Sequence, residues 1–117
     1  MKEIRMKLKG CGHPKFYEIL EEVGNLHDAK NSDYASSDRP LGNFERVAHW
    51  IEYYNLGRLL EKNPALFVAL VYELKQTDAM FKLLGTGTEG KVEGVKARMR
   101  DRTVYSIIQE ILYSEGK

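Results

Sequence analysis

The sequence has little cysteine and no long apolar run, and each shortage excludes a class of protein. A single cysteine, Cys11, cannot form an internal disulfide, which argues against a disulfide-stabilised secreted domain and favours a reducing compartment. The N-terminal segment MKEIRMKLKG lacks the apolar core of a secretion signal, and no apolar run reaches the ~20 residues that a membrane-spanning helix needs. We therefore expect a cytoplasmic protein without a membrane partner.

The chain also lacks a charge excess and the usual zinc and phosphate motifs. Its 18 Lys and Arg residues nearly balance 17 Asp and Glu residues, so nucleic acid is not an expected partner. His13, His27 and His49 do not have the spacing of zinc ligands. The segment GTGTEGK, residues 85–91, follows no strand pattern and therefore does not match a phosphate-binding loop.

The most apolar stretch, Leu66–Leu84, predicts a long helix at the centre of a single domain. Hydrophobic residues cover most of its sides, which is typical of a helix surrounded by others. Asn63 and Pro64 supply an N-cap and a first-turn proline, and Gly85 marks the end. The stripe predicted to face the core consists of Leu66, Phe67, Leu70, Val71, Leu74, Phe81 and Leu84.

Three further helices are predicted from similar patterns, with no convincing strand between them. The His13-Pro14 step opens the first helix, and Asn43 is the expected cap of the second. The predicted bounds are approximately residues 14–30, 44–56 and 92–113. The fold class predicted for residues 14–117 is therefore an all-α four-helix bundle, preceded by a short N-terminal arm of residues 1–13.

Two of these helices have well-defined faces that we expect to pack into the core. The face of the first helix consists of Phe16, Ile19, Leu20, Val23 and Leu26. The face of the last helix is acidic and small in its first half and aliphatic in its second half. It consists of Glu93, Ala97, Asp101, Val104, Ile108 and Ile111.

Carboxylates on the central and last helices form the first candidate site. If these helices pack antiparallel, Glu73 and Asp78 come to a similar level as Glu93 and Asp101. Clustered carboxylates suit Mg²⁺ or Mn²⁺, so the four are the predicted metal ligands, with Glu73, Asp78 and Asp101 catalytic. The alternative is that they form ordinary surface ion pairs. The cations available for such pairs are Lys75, Lys96, Arg98, Arg100 and Arg102.

A second candidate group lies at the end of the first helix. His27, Lys30, Asp33 and Tyr34 share one side of the helix if it continues that far. A lysine, an acid and an aromatic ring beside a loop suit the binding of a phosphate and a base. The alternative is a helix end at which Lys30 complements the helix dipole and Asp33 caps the loop. With Lys75 and Arg98 to neutralise phosphate charge, these residues form the predicted substrate site.

Short motifs along residues 14–112 resemble a group of small phage and prophage proteins. Their layout is K-x-x-D-Y, then N-F, then K-x-x-D, then E and D-x-x-x-Y. The matching segments here are Leu26–Tyr34, Pro40–Phe44, Lys75–Ala79, Glu93 and Arg98–Tyr105. Those proteins resemble the nucleotide-modification-associated branch of the all-α MazG-like family.

The resemblance implies a MazG-like helical bundle that forms homo-oligomers, often dimers. It also implies Mg²⁺-dependent cleavage of a (deoxy)nucleoside triphosphate to the monophosphate and pyrophosphate. Family metal ligands occur as an E-x-x-E pair and an E-x-x-D pair. Here only Glu18 and Glu21 have the first spacing, and Asp78 and Asp101 lie further from their partners. The alternative is a phage accessory protein that binds a nucleotide or a partner protein without catalysis.

Overall fold

A computed structural model describes residues 11–36 and 38–116, and these residues form four long helices and one short helix. The long helices are α1 (Pro14–Tyr34), α2 (Gly42–Tyr53), α4 (Pro64–Thr86) and α5 (Val95–Glu115). The short helix α3 (Leu59–Lys62) follows a 3₁₀ turn, Leu56–Arg58. The all-α prediction is confirmed, since the described residues contain no strand. Residues 1–10 of the predicted arm lie outside the described part of the chain.

The starts of α1 and α4 are the ones predicted from the sequence. The imidazole Nδ1 of His13 accepts a hydrogen bond from the backbone N–H of Lys15 at 3.0 Å, ahead of Pro14. The Asn63 side chain likewise accepts from the Leu66 N–H at 3.2 Å. Both helices therefore begin with a side-chain cap and a first-turn proline.

Other helix boundaries differ from the predicted ones. α1 continues past residue 30 to Tyr34, and α2 ends at Tyr53 because Asn55 adopts a left-handed conformation with φ of 55°. Asn43 is buried inside α2 and does not cap it. α5 begins at Val95 and not at residue 92, since the N–H groups of residues 91 and 92 bond to a distant carboxylate.

α4 is the central helix, as predicted, and it packs against every other helix of the described chain. Its predicted inward face is right at the buried Leu66 and wrong at the C-terminal end of the helix. Phe81 and Leu84 are each 55% exposed, whereas Gln76 and Ala79 are buried. Because α4 is apolar on most sides, helical periodicity alone does not define one inward face. The buried residues are Leu66, Ala69, Gln76, Asp78, Ala79, Met80 and Leu83.

The predicted inward face of α5 is also wrong. Arg98 is the fully buried residue of this helix, and Val104, Ile108 and Ile111 are exposed. Polar contacts with α4 set the orientation, since Gln109 donates to Glu73 at 2.8 Å. α5 therefore packs on α4 through a largely polar face.

Candidate functional site

The Tyr34 ring lies at the junction of α1, α4 and α5, close to two cations. The Lys75 ammonium is 5.0 Å from the ring centroid, and the Arg98 guanidinium carbon is 4.6 Å from it. Both distances are within the range of cation–π attraction. Three of the residues predicted to bind substrate are therefore neighbours. We call Tyr34, Lys75, Gln76, Glu93, Arg98, Asp101 and Tyr105 the Tyr34 cluster.

Arg98 is fully buried, and only some of its hydrogen-bond donors have an acceptor. Its Nη1 donates to the Tyr34 hydroxyl and to Gln76 Oε1, each at 2.7 Å, and lies 3.4 Å from Glu93 Oε2. Its Nε and Nη2 atoms have no hydrogen-bond partner in the described structure. Unpaired buried donors are costly, and a guanidinium favours bidentate contacts with carboxylate or phosphate. Arg98 thus presents two donors suited to an anion.

Asp33 anchors the loop that precedes α5. Its carboxylate accepts the backbone N–H groups of Lys91 at 2.7 Å and Val92 at 2.8 Å. Burial alone raises the pKa of Asp33, but the backbone N–H groups of residues 91–93 and the charge of Arg98 together hold that pKa below its ordinary value. The structure therefore places Asp33 as the cap of this loop, where it fixes the position of Glu93.

The loop itself bends sharply at Gly90, which has a φ of 100°. A Cβ atom there would lie 2.4 Å from the carbonyl oxygen of Glu93. Glycine is therefore required both by the backbone conformation and by the close approach. This turn brings Lys91 and Val92 to the Asp33 carboxylate.

Two of the four predicted metal ligands are occupied by side chains of this chain. Asp78, 4% exposed, accepts two hydrogen bonds from Arg46, at 2.6 and 2.9 Å. The bond to Asp78 raises the pKa of Arg46, whose Nη2 also donates to the Tyr34 carbonyl at 3.0 Å. Glu73 accepts from Gln109 Nε2 at 2.8 Å. Both acids thus hold helices together.

The other two acids, Glu93 and Asp101, lie near Tyr105. Burial first, and then the charge of Asp101 and to a smaller extent that of Glu93, raise the pKa of the Tyr105 phenol. Glu93 Oε2 is buried and accepts no hydrogen bond. No three His, Cys, Asp or Glu side chains in the described ranges are grouped as a metal site. Of the four predicted metal ligands, Glu93 and Asp101 are therefore the better candidates to bind a ligand.

Three residues important to this region were missed in the sequence. Gln76 and Tyr105 lie inside the motifs that carry the resemblance, so their position there was a usable signal. Arg46 was missed because it lies 32 residues from Asp78. Lys30 and His27, by contrast, are predicted residues that the structure places on the exposed surface of α1.

A cleft of about 370 Å³ shares Asp33 with this region. Two lysines and two threonines, Lys82, Lys91, Thr86 and Thr88, line it. Lys82 donates to the Ser32 carbonyl and so closes one side of the cleft. Ammonium and hydroxyl groups of this kind suit phosphate oxygens.

No family model matches the sequence, and neither a curated protein nor a solved structure matches it. Within residues 11–36 and 38–116, no helix is long and apolar enough to cross a membrane.

Proposed function

We propose that this protein binds a (deoxy)nucleoside triphosphate at the Tyr34 cluster and cleaves it, with Mg²⁺, to the monophosphate and pyrophosphate. The observation that carries the proposal is the buried Arg98 guanidinium, whose Nε and Nη2 have no hydrogen-bond partner and whose Nη1 lies 3.4 Å from the Glu93 carboxylate. The motifs shared with MazG-like phage proteins support the same function. The proposal includes the MazG-like four-helix bundle and assembly into a homo-oligomer.

The cluster residues have distinct roles in this proposal. Arg98 and Lys75 neutralise phosphate charge, and the Tyr34 ring attracts both of them at cation–π distance. Glu93 and Asp101 would hold Mg²⁺, which often binds through one or two carboxylates plus substrate phosphates. The ion would supply charge neutralisation and an activated water. Glu93 Oε2 fits this role, since it is buried, accepts no hydrogen bond and has Arg98 Nη1 at 3.4 Å as its ion-pair partner.

A second candidate function is nucleotide binding without hydrolysis. It is favoured by the contacts of Asp78 with Arg46 and of Glu73 with Gln109, which leave two acids where the prediction had four. The basic residues of the same site, Lys75 and Arg98, would then hold the nucleotide without an ordered metal ion, and no water would be activated. Chelator-insensitive binding that yields no product would select this candidate.

The test is thermal melting against a panel of nucleotides, with and without Mg²⁺, followed by product analysis. We expect triphosphates to raise the melting temperature in a Mg²⁺-dependent way and to release pyrophosphate. Asp101→Asn should reduce pyrophosphate release by at least about 100-fold and retain the melting temperature of the free protein. Glu110→Gln, an exposed change on the same helix, is the control. A flat response to every nucleotide would contradict the proposal.

A further inference from the structure

A cleft of about 350 Å³ lies along the first two turns of α2 and shares none of its lining residues with the Tyr34 cluster. It is lined by Arg39, Gly42, Glu45, Arg46, His49 and Trp50, and we call it the α2 cleft. The five of these residues on α2 recur at spacings of three and four, so they lie on one side of the helix. The volume is within the range of roughly 300–1,000 Å³ that is typical of small-molecule sites.

One side of the α2 cleft is formed by the Arg46 guanidinium, which is held in place from behind. Its Nε and Nη2 donate to the Asp78 carboxylate at 2.6 and 2.9 Å, and Nη2 also donates to the Tyr34 carbonyl at 3.0 Å. None of these bonds uses Nη1, and 46% of the side chain is exposed. Arg46 therefore presents an ordered guanidinium whose Nη1 is available to a ligand.

Gly42 leaves room beside that donor. A Cβ atom at this position would lie 2.9 Å from Arg46 Nη1 and 3.4 Å from the Cβ atom of Arg39. Both arginine side chains therefore pass close to the same glycine, and a larger residue would fill the space next to the Arg46 donor.

Arg39 is ordered by a carboxylate in a similar way. Its Nε and Nη2 both donate to Glu45 Oε1, at 3.2 and 2.8 Å, and these bonds also leave Nη1 unused. A guanidinium that is already held in position loses little further side-chain freedom when it binds an anion. Guanidinium donors form strong, charge-assisted hydrogen bonds with phosphate oxygens. The Nη1 atoms of Arg39 and Arg46 are therefore suited to one phosphate group.

Aromatic rings form the other end of the α2 cleft. The Trp50 indole meets the Phe81 ring edge to face, with centroids 6.5 Å apart and planes at 90°, and this contact orients the indole. The His49 ring lies 6.2 Å from the Tyr53 ring on the same helix. Aromatic side chains next to cations bind nucleotides by stacking on the base. The cleft thus combines a surface for a flat ring with donors for an anion.

We infer that the α2 cleft binds a phosphate monoester of the nucleoside monophosphate class, with its ring against Trp50 and its phosphate at the Nη1 atoms of Arg39 and Arg46. No metal ion is required, because the two guanidinium groups supply the positive charge. The inference does not depend on the proposed function, which places a triphosphate and Mg²⁺ at other residues.

The test is Trp50 fluorescence during titration with adenosine 5′-monophosphate in the presence of a chelator. Trp50 is the single tryptophan of the chain, so its emission reports directly on the α2 cleft. We expect saturable quenching, with the monophosphate binding at least about 10-fold more tightly than adenosine or inorganic phosphate. Arg39→Gln should weaken this binding by about 10-fold, because it removes a charge-assisted donor. Arg58→Gln, at an exposed arginine outside the cleft, is the matched control and should bind like the wild type.

A variant of the Tyr34 cluster locates the ligand. Lys75→Gln should leave the quenching by the monophosphate unchanged, since Lys75 does not line the α2 cleft. Quenching that Lys75→Gln abolishes and Arg39→Gln leaves intact would overturn the α2 cleft as the site. Quenching that does not saturate, or that is equally strong with adenosine, would overturn it as well. Failure of triphosphates to bind, with the response to the monophosphate retained, would contradict only the proposed function.

Discussion

The two halves of α5 differ in what they bury. Its first half turns Arg98 inward, where the guanidinium contacts Gln76 and Tyr34. Its second half exposes Val104, Ile107 and Ile111 to solvent, each more than half exposed. In an ordinary helix the aliphatic half would be inside, because burying a charge is costly whereas burying an aliphatic side chain is favourable. The first half thus has buried donors without acceptors, and the second half has aliphatic side chains without cover in the described residues. In the proposed function, the first half belongs to the ligand site and the second half is available to a partner.

The largest effect that would test this comparison comes from Arg98. Arg98→Ala removes the donor to Tyr34 and Gln76 and leaves buried polar groups unpaired. We expect it to lower the free energy of unfolding by about 4 kcal/mol, measured by urea denaturation. Arg100→Ala, on the exposed side of the same helix, should change it by less than about 0.5 kcal/mol. Equal effects of the two variants would show that Arg98 does not hold the first half of α5 in place.

A slightly smaller effect is expected at the contact between α2 and α4. Arg46→Ala leaves the Asp78 carboxylate, 4% exposed, without its two hydrogen bonds. The expected loss is about 3 kcal/mol. Arg39→Ala is the control, since Arg39 pairs with Glu45 at 2.8 Å on an exposed surface and its loss should have a much smaller effect. If both variants unfold at the same urea concentration, the pair that Arg46 forms with the buried Asp78 has no special role.

The dependence of the melting temperature on protein concentration distinguishes the two halves of α5. A second copy of the chain could cover the exposed aliphatic residues of α5, which are Val104, Ile107, Ile108 and Ile111. In that case the melting temperature of the wild-type chain should rise with protein concentration. Ile111→Ala should lower the melting temperature more at low concentration than at high concentration. Arg98→Lys, a change inside one chain, should lower it by an amount that does not depend on concentration. A wild-type melting temperature that is constant over about a 100-fold dilution would contradict the partner surface.

The smallest effect concerns pH and Asp33. The pKa of this carboxyl is lower in the folded chain than its ordinary value of 3.8. Its stabilising contribution is therefore fully present above the ordinary pKa and is lost as the pH falls through the folded pKa. Asp33→Asn should cost about 1–2 kcal/mol at neutral pH and weaken the loss of stability below pH about 4. Asp28→Asn, an exposed change on the same helix, should leave the acid limb of the stability profile unchanged.

The sequence predicts the helices of this fold better than it predicts their faces. The starts of α1 and α4 could be predicted because their signals are local: a capping side chain and a proline within three residues. The inward face of α4 could not, since a helix that is apolar on most sides has several equivalent faces. For α5 the aliphatic half of the amphipathic pattern is exposed in the described residues, since the buried Arg98 and the contact of Gln109 with Glu73 turn a different face toward α4.

Only part of the candidate site could be predicted, because the sequence carries local signals but not the contacts between distant residues. Tyr34, Lys75 and Arg98 were expected to bind together, and the structure brings them within cation–π distance. The four predicted metal ligands do not form one site, because Asp78 bonds to Arg46 and Glu73 bonds to Gln109. Both partners are distant in the sequence. Asp33 bonds to the N–H groups of Lys91 and Val92. Spacing along one helix contains no information about partners of this kind.

Hydrogen exchange along α5 is the measurement that tests the central claim most directly, because it reads both halves of the helix in one experiment. We predict that residues 104–111 exchange more slowly as protein concentration rises, without any nucleotide. Residues 93–101 should gain protection only when a nucleoside triphosphate and Mg²⁺ are added. Exchange of residues 104–111 that is independent of concentration, together with no response of residues 93–101 to any triphosphate, would contradict the account.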